Sequence, residues 1–245
     1  MSPALPLPSG VGVALVTLFD ADGVVDVKAT AERARRCVEL GVSSVLVAGT
    51  TGEAARLSVQ DRVELAATVK DAAPEVPVIV GTGHADADAA FEATARIANH
   101  GDADAFLVYC PEDATPASFF RGLRAEAQGR DVLAYHNPAL AAARELGTEE
   151  LSSLEIDGAK DSSASTNRLA DLVELGVRVY VGSATQLIVA GSCGACGAIL
   201  ALANVAPTDC IAAWNGDAGA QRRLFGLHRS AARDFPSYLK RTSPR

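Results

Sequence analysis

Short apolar runs rich in valine, leucine and isoleucine alternate along this chain with longer amphipathic stretches. A parallel sheet built from strand–helix units produces this pattern, because each strand is buried on both faces while the helices cover the sheet. The chain has 245 residues, which lies within the range of a single barrel of this kind. The apolar runs predict the eight strands of an α/β fold, a closed (β/α)8 TIM barrel, at residues 11–19, 42–48, 76–80, 103–109, 132–135, 156–160, 177–181 and 198–202.

Helical periodicity is clearest in five of the intervening stretches. Ser58 followed by Asp61 resembles a capping box and predicts where the second of these helices begins. A doubly wound sheet of the Rossmann type is the structural alternative, but it would place a G-x-G-x-x-G turn after its first strand, and residues 19–24 contain none. The predicted helices cover residues 27–40, 58–72, 85–100, 117–128 and 166–175.

The C-terminal part of the chain predicts one or two further helices between residues 208 and 240, followed by a polar tail. No linker separates this part from the preceding units. The sequence therefore predicts a barrel over residues 1–207 and a short helical extension of the same domain over residues 208–245.

The formal net charge of −8 argues against partners that bind by general electrostatic attraction to a basic surface, such as nucleic acid or anionic lipid. Residues 1–10 have neither the basic nor the apolar segment of a signal peptide, and no apolar run approaches the roughly 18 residues that a membrane span needs. We therefore expect a cytoplasmic protein without nucleic-acid or membrane partners, in which local donors hold any anionic substrate.

Five cysteines are an odd number in a long chain without a signal peptide, which argues for reduced thiols rather than a disulfide framework. Cys193 and Cys196 have the spacing of a metal or redox pair, but no second pair and no paired histidines accompany them. The sequence therefore favours small residues packed beside a tight turn over a metal site.

Catalytic groups of a barrel lie at the C-terminal ends of its strands, and Lys160 ends the sixth run. A lysine that points into the mouth of a barrel is partly desolvated, which favours the neutral amine that attacks a carbonyl. The residues alone leave this role open against a structural one, in which Lys160 pairs with a strand-end carboxylate such as Asp161. The other lysines of the chain have the character of solvated helix or tail positions, and they are Lys28, Lys70 and Lys240.

The second and fifth runs also end in residues that can act on a substrate. Gly49, Thr50 and Thr51 follow the second run, and two hydroxyls with backbone N–H groups on such a turn can hold a carboxylate without a net positive charge. A capped turn that leads into the Ser58 helix is the structural alternative. Tyr135 ends the fifth run, where a phenol can transfer a proton if hydroxyls connect it to solvent, although a tyrosine at a strand end is more often a packed residue.

Taken in this order, the strand-end motifs resemble those of the N-acetylneuraminate lyase and dihydrodipicolinate synthase family of class I aldolases. The similarity extends over nearly the whole chain, from GVALVT at residues 12–17, through GTTGE at 49–53, to ANVAP at 203–207. The resemblance implies that Lys160 is the Schiff-base lysine and that Tyr135 is the general acid and base above it.

The same resemblance implies how a substrate is held. Thr50 and Thr51 would hold the carboxylate of a pyruvate-like 2-oxo acid, and Gly49 would be part of the same turn. Gly182 and Ile199 would line the same pocket. We expect such an enzyme to use no metal and no organic cofactor, and the resemblance implies a homo-oligomer.

Three departures from the family pattern bear on function. The family commonly carries Pro-Tyr-Tyr after strand four, whose second tyrosine reaches into a neighbouring subunit's proton relay, whereas here Cys110 and Pro111 follow Tyr109. Dihydrodipicolinate synthases carry an arginine two residues after the proline that follows the catalytic tyrosine, and Leu140 stands at that position. The chain also ends soon after residues 235–240, so the family's C-terminal helical region is shortened. Whether the proton relay is complete stays open.

These residues predict a lyase or aldolase that forms an imine between Lys160 and pyruvate or a related 2-oxo acid, and that reversibly cleaves or condenses it with an aldehyde. One alternative is a catalytically impaired barrel that binds a 2-oxo acid or a protein partner. A second is a true 4-hydroxy-tetrahydrodipicolinate synthase, against which Leu140 argues by favouring a neutral aldehyde. A phosphate-sugar aldolase with a phosphate cradle at residues 191–197 is disfavoured, because that turn precedes strand eight rather than following it.

Overall fold

The structure is a computed structural model that describes residues 5–242 and residue 244. Its parallel strands hydrogen-bond to one another in chain order, and the last strand closes the barrel by pairing with the first. The predicted fold is confirmed, and each predicted run overlaps one strand. The strands are β1 (Gly10–Ala14), β2 (Ser44–Val47), β3 (Val78–Gly81), β4 (Ala105–Val108), β5 (Asp131–His136), β6 (Gly158–Asp161), β7 (Val179–Val181) and β8 (Gly197–Leu200).

Helices alternate with the strands and cover the outside of the barrel. The five predicted helices are confirmed with their ends displaced by one or two residues, and Ser58 and Asp61 form the expected capping box at the start of the second helix. The sequence did not predict two short helices, α5 and α7, because a helix of one or two turns shows too little periodicity. The helices are α1 (Val27–Glu39), α2 (Val59–Ala72), α3 (Ala87–His100), α4 (Pro116–Glu126), α5 (Thr148–Ser152), α6 (Thr166–Glu174), α7 (Leu187–Ser192), α8 (Pro207–Trp214), α9 (Ala218–Arg233) and α10 (Ser237–Arg241).

The helices after β8 complete the fold. The first of them, α8, packs against β1 and α7 as the last helix of the barrel wall, and α9 and α10 are the additional helices that the sequence predicts. The proposed division between residues 207 and 208 falls in the first turn of α8. Residues 1–4, 243 and 245 of the two proposed ranges lie outside the described residues.

Two buried layers follow from the alternation of side chains along each strand. In β5, Leu133 and Tyr135 belong to the cluster enclosed by the barrel, whereas Val132 and Ala134 belong to the layer between strands and helices. The inner layer is small and ends in polar side chains at the C-terminal mouth. Its buried apolar members are Leu7, Ala14, Leu46, Ile79, Ala105, Leu107, Leu133, Tyr135, Tyr180 and Ile199.

None of the described helices is both long and apolar enough to cross a bilayer.

All five cysteines are free of disulfide bonds. Cys193 is exposed at the end of α7, and Cys196 packs against the inner cluster just before β8 begins. The turn that contains them therefore lies at the N-terminal end of the barrel, away from the mouth at which β6 ends.

Candidate active site

Lys160 and Tyr135 lie side by side at the mouth of the barrel. They are register partners on the neighbouring strands β6 and β5, and their side chains share the inner face. The Lys160 Nζ atom lies 4.9 Å from the centroid of the Tyr135 ring. Ile199 on β8 belongs to the same inner cluster as Tyr135. The structure thus brings together Lys160 and Tyr135, which the sequence places at separate strand ends.

The amine of Lys160 is held in an apolar environment. Only 5% of the residue is exposed, and burial lowers its pKa, an effect that the neighbouring Tyr135 opposes. Among the residues that the structure describes, no carboxylate forms an ion pair with this amine. A buried lysine without a counter-charge favours its neutral, nucleophilic form.

Asp161 does not pair with Lys160 as the structural alternative requires. Its side chain lies on the outer side of β6, where its Oδ2 atom accepts a hydrogen bond from Nε of Arg168 on α6 at 2.6 Å. Its Oδ1 atom accepts a hydrogen bond from the Ser163 backbone at 2.9 Å. His136 is buried close to the same pair. Asp161 therefore fixes the end of β6 and leaves the lysine free.

Two of the other lysines are not the solvated residues that the sequence predicts. Lys70 on α2 pairs with the buried Asp104 at 2.6 Å, and Lys240 on α10 pairs with Glu53. Lys28 is exposed as predicted. The prediction is wrong for Lys70 and Lys240 because their partners are 34 and 187 residues away in the sequence, where no local pattern reveals them.

The Tyr135 hydroxyl is surrounded by polar groups from three loops of its own chain. Nδ2 of Asn137 donates a hydrogen bond to the phenol oxygen at 2.9 Å, and the hydroxyls of Thr50 and Ser162 also hydrogen-bond with it. Burial raises the pKa of Tyr135, but the charge of Lys160 in its protonated form and these three hydrogen bonds outweigh that effect, so the pKa lies below its ordinary value. Such a phenol exchanges a proton more readily than an isolated tyrosine.

Asn137 and Ser162 are site residues that the sequence did not single out. Ser162 reaches the phenol because Gly182 on the next strand end leaves room: a Cβ atom at Gly182 would lie 1.9 Å from the Ser162 Oγ atom. The Gly182 N–H donates to the Asp161 carbonyl at 2.7 Å and so fixes this approach. The runs of serine after Lys160 and the glycine after β7 were visible in the sequence, but their contact depends on the barrel.

The turn after β2 carries the predicted carboxylate-binding residues. Gly49 precedes a short 3-10 turn over Thr50–Gly52, in which the Thr51 side chain is buried and that of Thr50 is exposed. The Thr17 hydroxyl donates to the Gly52 carbonyl at 2.7 Å and ties the turn to the segment after β1. Ala48 just before the turn has a φ of 52°, a left-handed conformation that costs an alanine about 1 kcal/mol or more. Backbone strain of this kind is typical of functional sites.

Two clefts open beside these residues. One, of about 400 Å³, has an apolar wall formed by Leu140 and Tyr109 and also includes Thr50 and Arg62. The other, of about 480 Å³, lies across the ends of β5 to β8, and its mainly apolar lining includes five residues with hydrogen-bonding side chains. These residues are Asn137, Ser162, Ser183, Thr185 and His228. Neither lining includes Lys160 itself, and the clefts reach the surroundings of the Tyr135 hydroxyl through Thr50 in the first and through Asn137 and Ser162 in the second.

Known protein sequences match this chain over most of its length. A family model described as the dihydrodipicolinate synthetase family matches residues 7–221. A 4-hydroxy-tetrahydrodipicolinate synthase from Laribacter hongkongensis is 34% identical over 236 residues, which cover 89% of this chain and 81% of the relative. An uncharacterized DapA-like lyase from Halobacterium salinarum is also 34% identical, over 95% of this chain and 79% of the relative.

Solved structures give the same result. YagE, a prophage protein of the dihydrodipicolinic acid synthase family from E. coli K12 solved in complex with pyruvate, superposes with a TM-score of 0.83 and 26% identity, covering 93% of this chain and 84% of that one. A dihydrodipicolinate synthase from Acinetobacter baumannii, also complexed with pyruvate, superposes with a TM-score of 0.79 and 26% identity, over 92% of this chain and 84% of that one.

The agreement extends over the barrel and most of the chain. The expectation of a carbon–carbon lyase related to the class I aldolases is confirmed at the level of the family. Together with the strand-end lysine and tyrosine, the match over residues 7–221 shows that this chain belongs to the dihydrodipicolinate synthetase family.

Proposed function

We propose that this protein is a lyase or aldolase that forms a Schiff base between Lys160 and pyruvate or a related 2-oxo acid. The observation that carries the proposal is the Lys160 amine, which is buried, pairs with no carboxylate in the described part of the chain and lies 4.9 Å from the centroid of the Tyr135 ring. An imine requires a neutral primary amine at the moment of attack, and burial without a counter-charge supplies it.

The proposed reaction uses only groups of this site. The Lys160 amine attacks the carbonyl carbon of the 2-oxo acid, and Tyr135 transfers the protons that convert the carbinolamine to the imine with loss of water. Tyr135 takes a proton from the adjacent carbon to give an enamine, which attacks the aldehyde carbon, and the phenol returns the proton to the aldehyde oxygen. Water then hydrolyses the imine and frees the product and the Lys160 amine; cleavage runs the same steps backwards. The protonated imine acts as the electron sink, so this reaction requires no metal or organic cofactor.

Wild-type protein incubated with pyruvate and borohydride tests the first half of the proposal. We expect a single modified residue, found by mass spectrometry at Lys160. Turnover of 2-oxo acid and aldehyde pairs tests the second half. A protein that is labelled but turns over no pair of substrates would be a barrel that only binds a 2-oxo acid. A protein that is not labelled would be neither an aldolase of this kind nor a barrel that binds pyruvate through Lys160.

We further propose that Thr50 and Thr51 hold the carboxylate of the 2-oxo acid. Thr50→Val is expected to weaken pyruvate binding by about 1 to 3 kcal/mol, because a buried carboxylate oxygen would lose its hydrogen bond. The measurement is the pyruvate concentration that gives half-maximal trapping at Lys160. Thr115→Val is a matched control, since Thr115 is exposed and its side chain makes no capping hydrogen bond with α4. If Thr50→Val and wild type have the same half-saturating pyruvate concentration, the turn that carries Thr50 has only a structural role.

The aldehyde is proposed to be neutral. Leu140 forms an apolar wall where an arginine would meet a second carboxylate, and burying an unpaired carboxylate against it costs free energy. Arg144 is engaged with Glu150 at 3.7 Å. Arg62 donates hydrogen bonds to two backbone carbonyls, those of Gly81 and Ala54. The second cleft offers the hydroxyls of Ser162, Ser183 and Thr185 to a neutral, hydrogen-bonding aldehyde.

This proposal predicts a preference that kinetics can measure. With pyruvate as donor, kcat/KM for a neutral aldehyde is expected to exceed that for aspartate semialdehyde by roughly a hundredfold, the usual effect of a missing charge-assisted contact. Leu140→Arg is expected to lower the ratio of kcat/KM for the neutral aldehyde to that for the semialdehyde. Leu140→Met, which preserves the side-chain volume, should leave this ratio unchanged. A wild-type preference for the semialdehyde would show that Arg62 or Arg144 meets the second carboxylate and that the protein is a 4-hydroxy-tetrahydrodipicolinate synthase.

A homo-oligomer remains our proposal for the assembly. Light scattering coupled to size-exclusion chromatography measures the mass directly, and a single-chain mass at working concentration would contradict it.

A further inference from the structure

Glu53 is the last residue of the GTTGE motif, and its conformation closes the turn that carries Thr50 and Thr51. Its φ of 56° and ψ of 45° lie in the left-handed region. Its N–H donates to the Thr50 carbonyl at 3.1 Å, and its carbonyl accepts from the N–H of Arg56 at 2.8 Å. Because both hydrogen bonds depend on this unusual backbone conformation, whatever fixes Glu53 also fixes the turn.

The Glu53 side chain is held by two cations that share one aromatic ring. Its Oε1 atom pairs with Nζ of Lys240 and its Oε2 atom with Nη1 of Arg56 at 2.9 Å. The Lys240 Nζ atom lies 4.6 Å from the centre of the Phe19 ring, and the Arg56 guanidinium lies 3.9 Å from it. Burial raises the pKa of Glu53, but both cations outweigh that effect and leave the pKa below its ordinary value. The carboxylate is therefore held in its charged form.

The backbone around Lys240 is itself fixed by helix α1. The guanidinium of Arg33 on α1 donates to the backbone carbonyl of Leu239 at 2.6 Å and to that of Lys240 at 2.8 Å. The Leu239 side chain is completely buried. Helix α10 is thus attached to the barrel by its backbone and by an apolar side chain, and the position of Lys240 does not depend on Glu53 alone.

We propose that Lys240 is a positioning residue for the 2-oxo acid site: through Glu53 it holds the turn that presents Thr50 and Thr51 to the substrate carboxylate. The proposal rests on the proposed function of that turn. Lys240 touches no reacting atom in this scheme. Its effect is to keep a strained, partly exposed turn in the binding conformation, so it acts on substrate affinity rather than on the chemistry at Lys160.

The test compares Lys240→Met with wild type by borohydride trapping of pyruvate. The half-saturating pyruvate concentration is expected to rise roughly three- to tenfold, the effect of losing a partly exposed ion pair that orders a binding turn. The maximal labelling at saturating pyruvate and the turnover number are expected to stay near wild type. Lys240→Arg should restore the half-saturation, because a guanidinium can still pair with Glu53.

Two controls separate this coupling from a general effect on the C-terminal helix. Arg241 lies next to Lys240 on α10 and forms an exposed ion pair with Asp234. Arg241→Met removes that pair and should leave pyruvate binding unchanged. Glu53→Gln combined with Lys240→Met should weaken binding no more than Glu53→Gln alone, since Glu53→Gln already removes the charge that pairs with Lys240 as well as with Arg56. Thermal unfolding of each variant checks that the fold is retained.

The outcomes distinguish the two proposals. If wild type is labelled at Lys160 and Lys240→Met binds pyruvate equally well, the positioning role is wrong while the Schiff-base proposal stands. Additive losses in the double variant, or an equal loss in Arg241→Met, would also overturn the positioning role. If wild type is not labelled at all, the proposed function itself is wrong.

Discussion

Lys160→Ala is expected to abolish the pyruvate adduct that borohydride traps in the wild-type protein and to lower turnover by roughly 10⁴-fold or more. The alanine variant lacks the primary amine, and the other three lysines of the chain lie outside the site: Lys28 is exposed, while Lys70 and Lys240 are paired with carboxylates. The measurement is the intact mass of the protein after trapping, and burial assists the attack because it lowers the pKa of Lys160 and so raises the fraction of neutral amine.

Lys160→Arg distinguishes an amine from a mere positive charge. A guanidinium keeps the charge and much of the volume but stays protonated, so this variant should be as inactive as the alanine one. Lys70→Ala is the matched control, because Lys70 is also partly buried and should not affect labelling. Labelling that persists in Lys160→Ala would mean that another residue is the nucleophile.

The fold could be predicted from sequence because its determinants are local and repeated. Most strands lie in short apolar runs, and the long helices show clear periodicity, as in α1 and α3. The helices that escaped prediction, α5 and α7, have five and six residues, too few for a periodic signal. Repetition of the strand–helix unit made the topology predictable, since βα units of a parallel sheet wind in one direction.

The site was only partly predictable. Lys160 and Tyr135 stood out because a barrel places catalytic groups at strand ends, and the structure brings the two together. Their roles, and those of Thr50, Thr51, Gly182 and Ile199, stay predictions. Asn137 and Ser162 could not be selected, because a sequence does not show which of several polar residues after a strand turns toward the mouth. Lys240 was misjudged because its partner Glu53 is distant in sequence.

The segment after β4 departs from the family pattern, and the residues around Tyr135 show how this affects the proton relay. The chain has Cys110 and Pro111 after Tyr109, and Cys110 is buried away from the inner cluster. Around the Tyr135 phenol, however, Asn137 and Ser162 contribute polar groups of the same chain in addition to Thr50. An altered segment after β4 therefore does not leave the phenol isolated, and proton transfer through Thr50 or Ser162 is the expectation to test.

Tyr135→Phe is expected to slow turnover by roughly 10²- to 10⁴-fold while leaving Lys160 available for trapping. The substitution removes only the hydroxyl, so the packing of the ring in the inner cluster and against the Lys160 amine is preserved. Trapping should therefore still reach completion at saturating pyruvate, but more slowly, because carbinolamine dehydration needs the same proton transfer. The measurements are the rate of adduct formation and kcat for the preferred aldehyde.

Tyr180→Phe provides the control for that prediction. Tyr180 is also a buried inner-cluster tyrosine, but it contacts Arg178 toward the N-terminal end of the barrel, so the loss of its hydroxyl should leave both rates nearly unchanged. A Tyr135→Phe variant with full activity would show that the phenol only packs against the lysine. The polar groups around it would then have to serve another proton donor, and Ser162 is next to be tested, because the close approach to Gly182 holds its hydroxyl beside Tyr135.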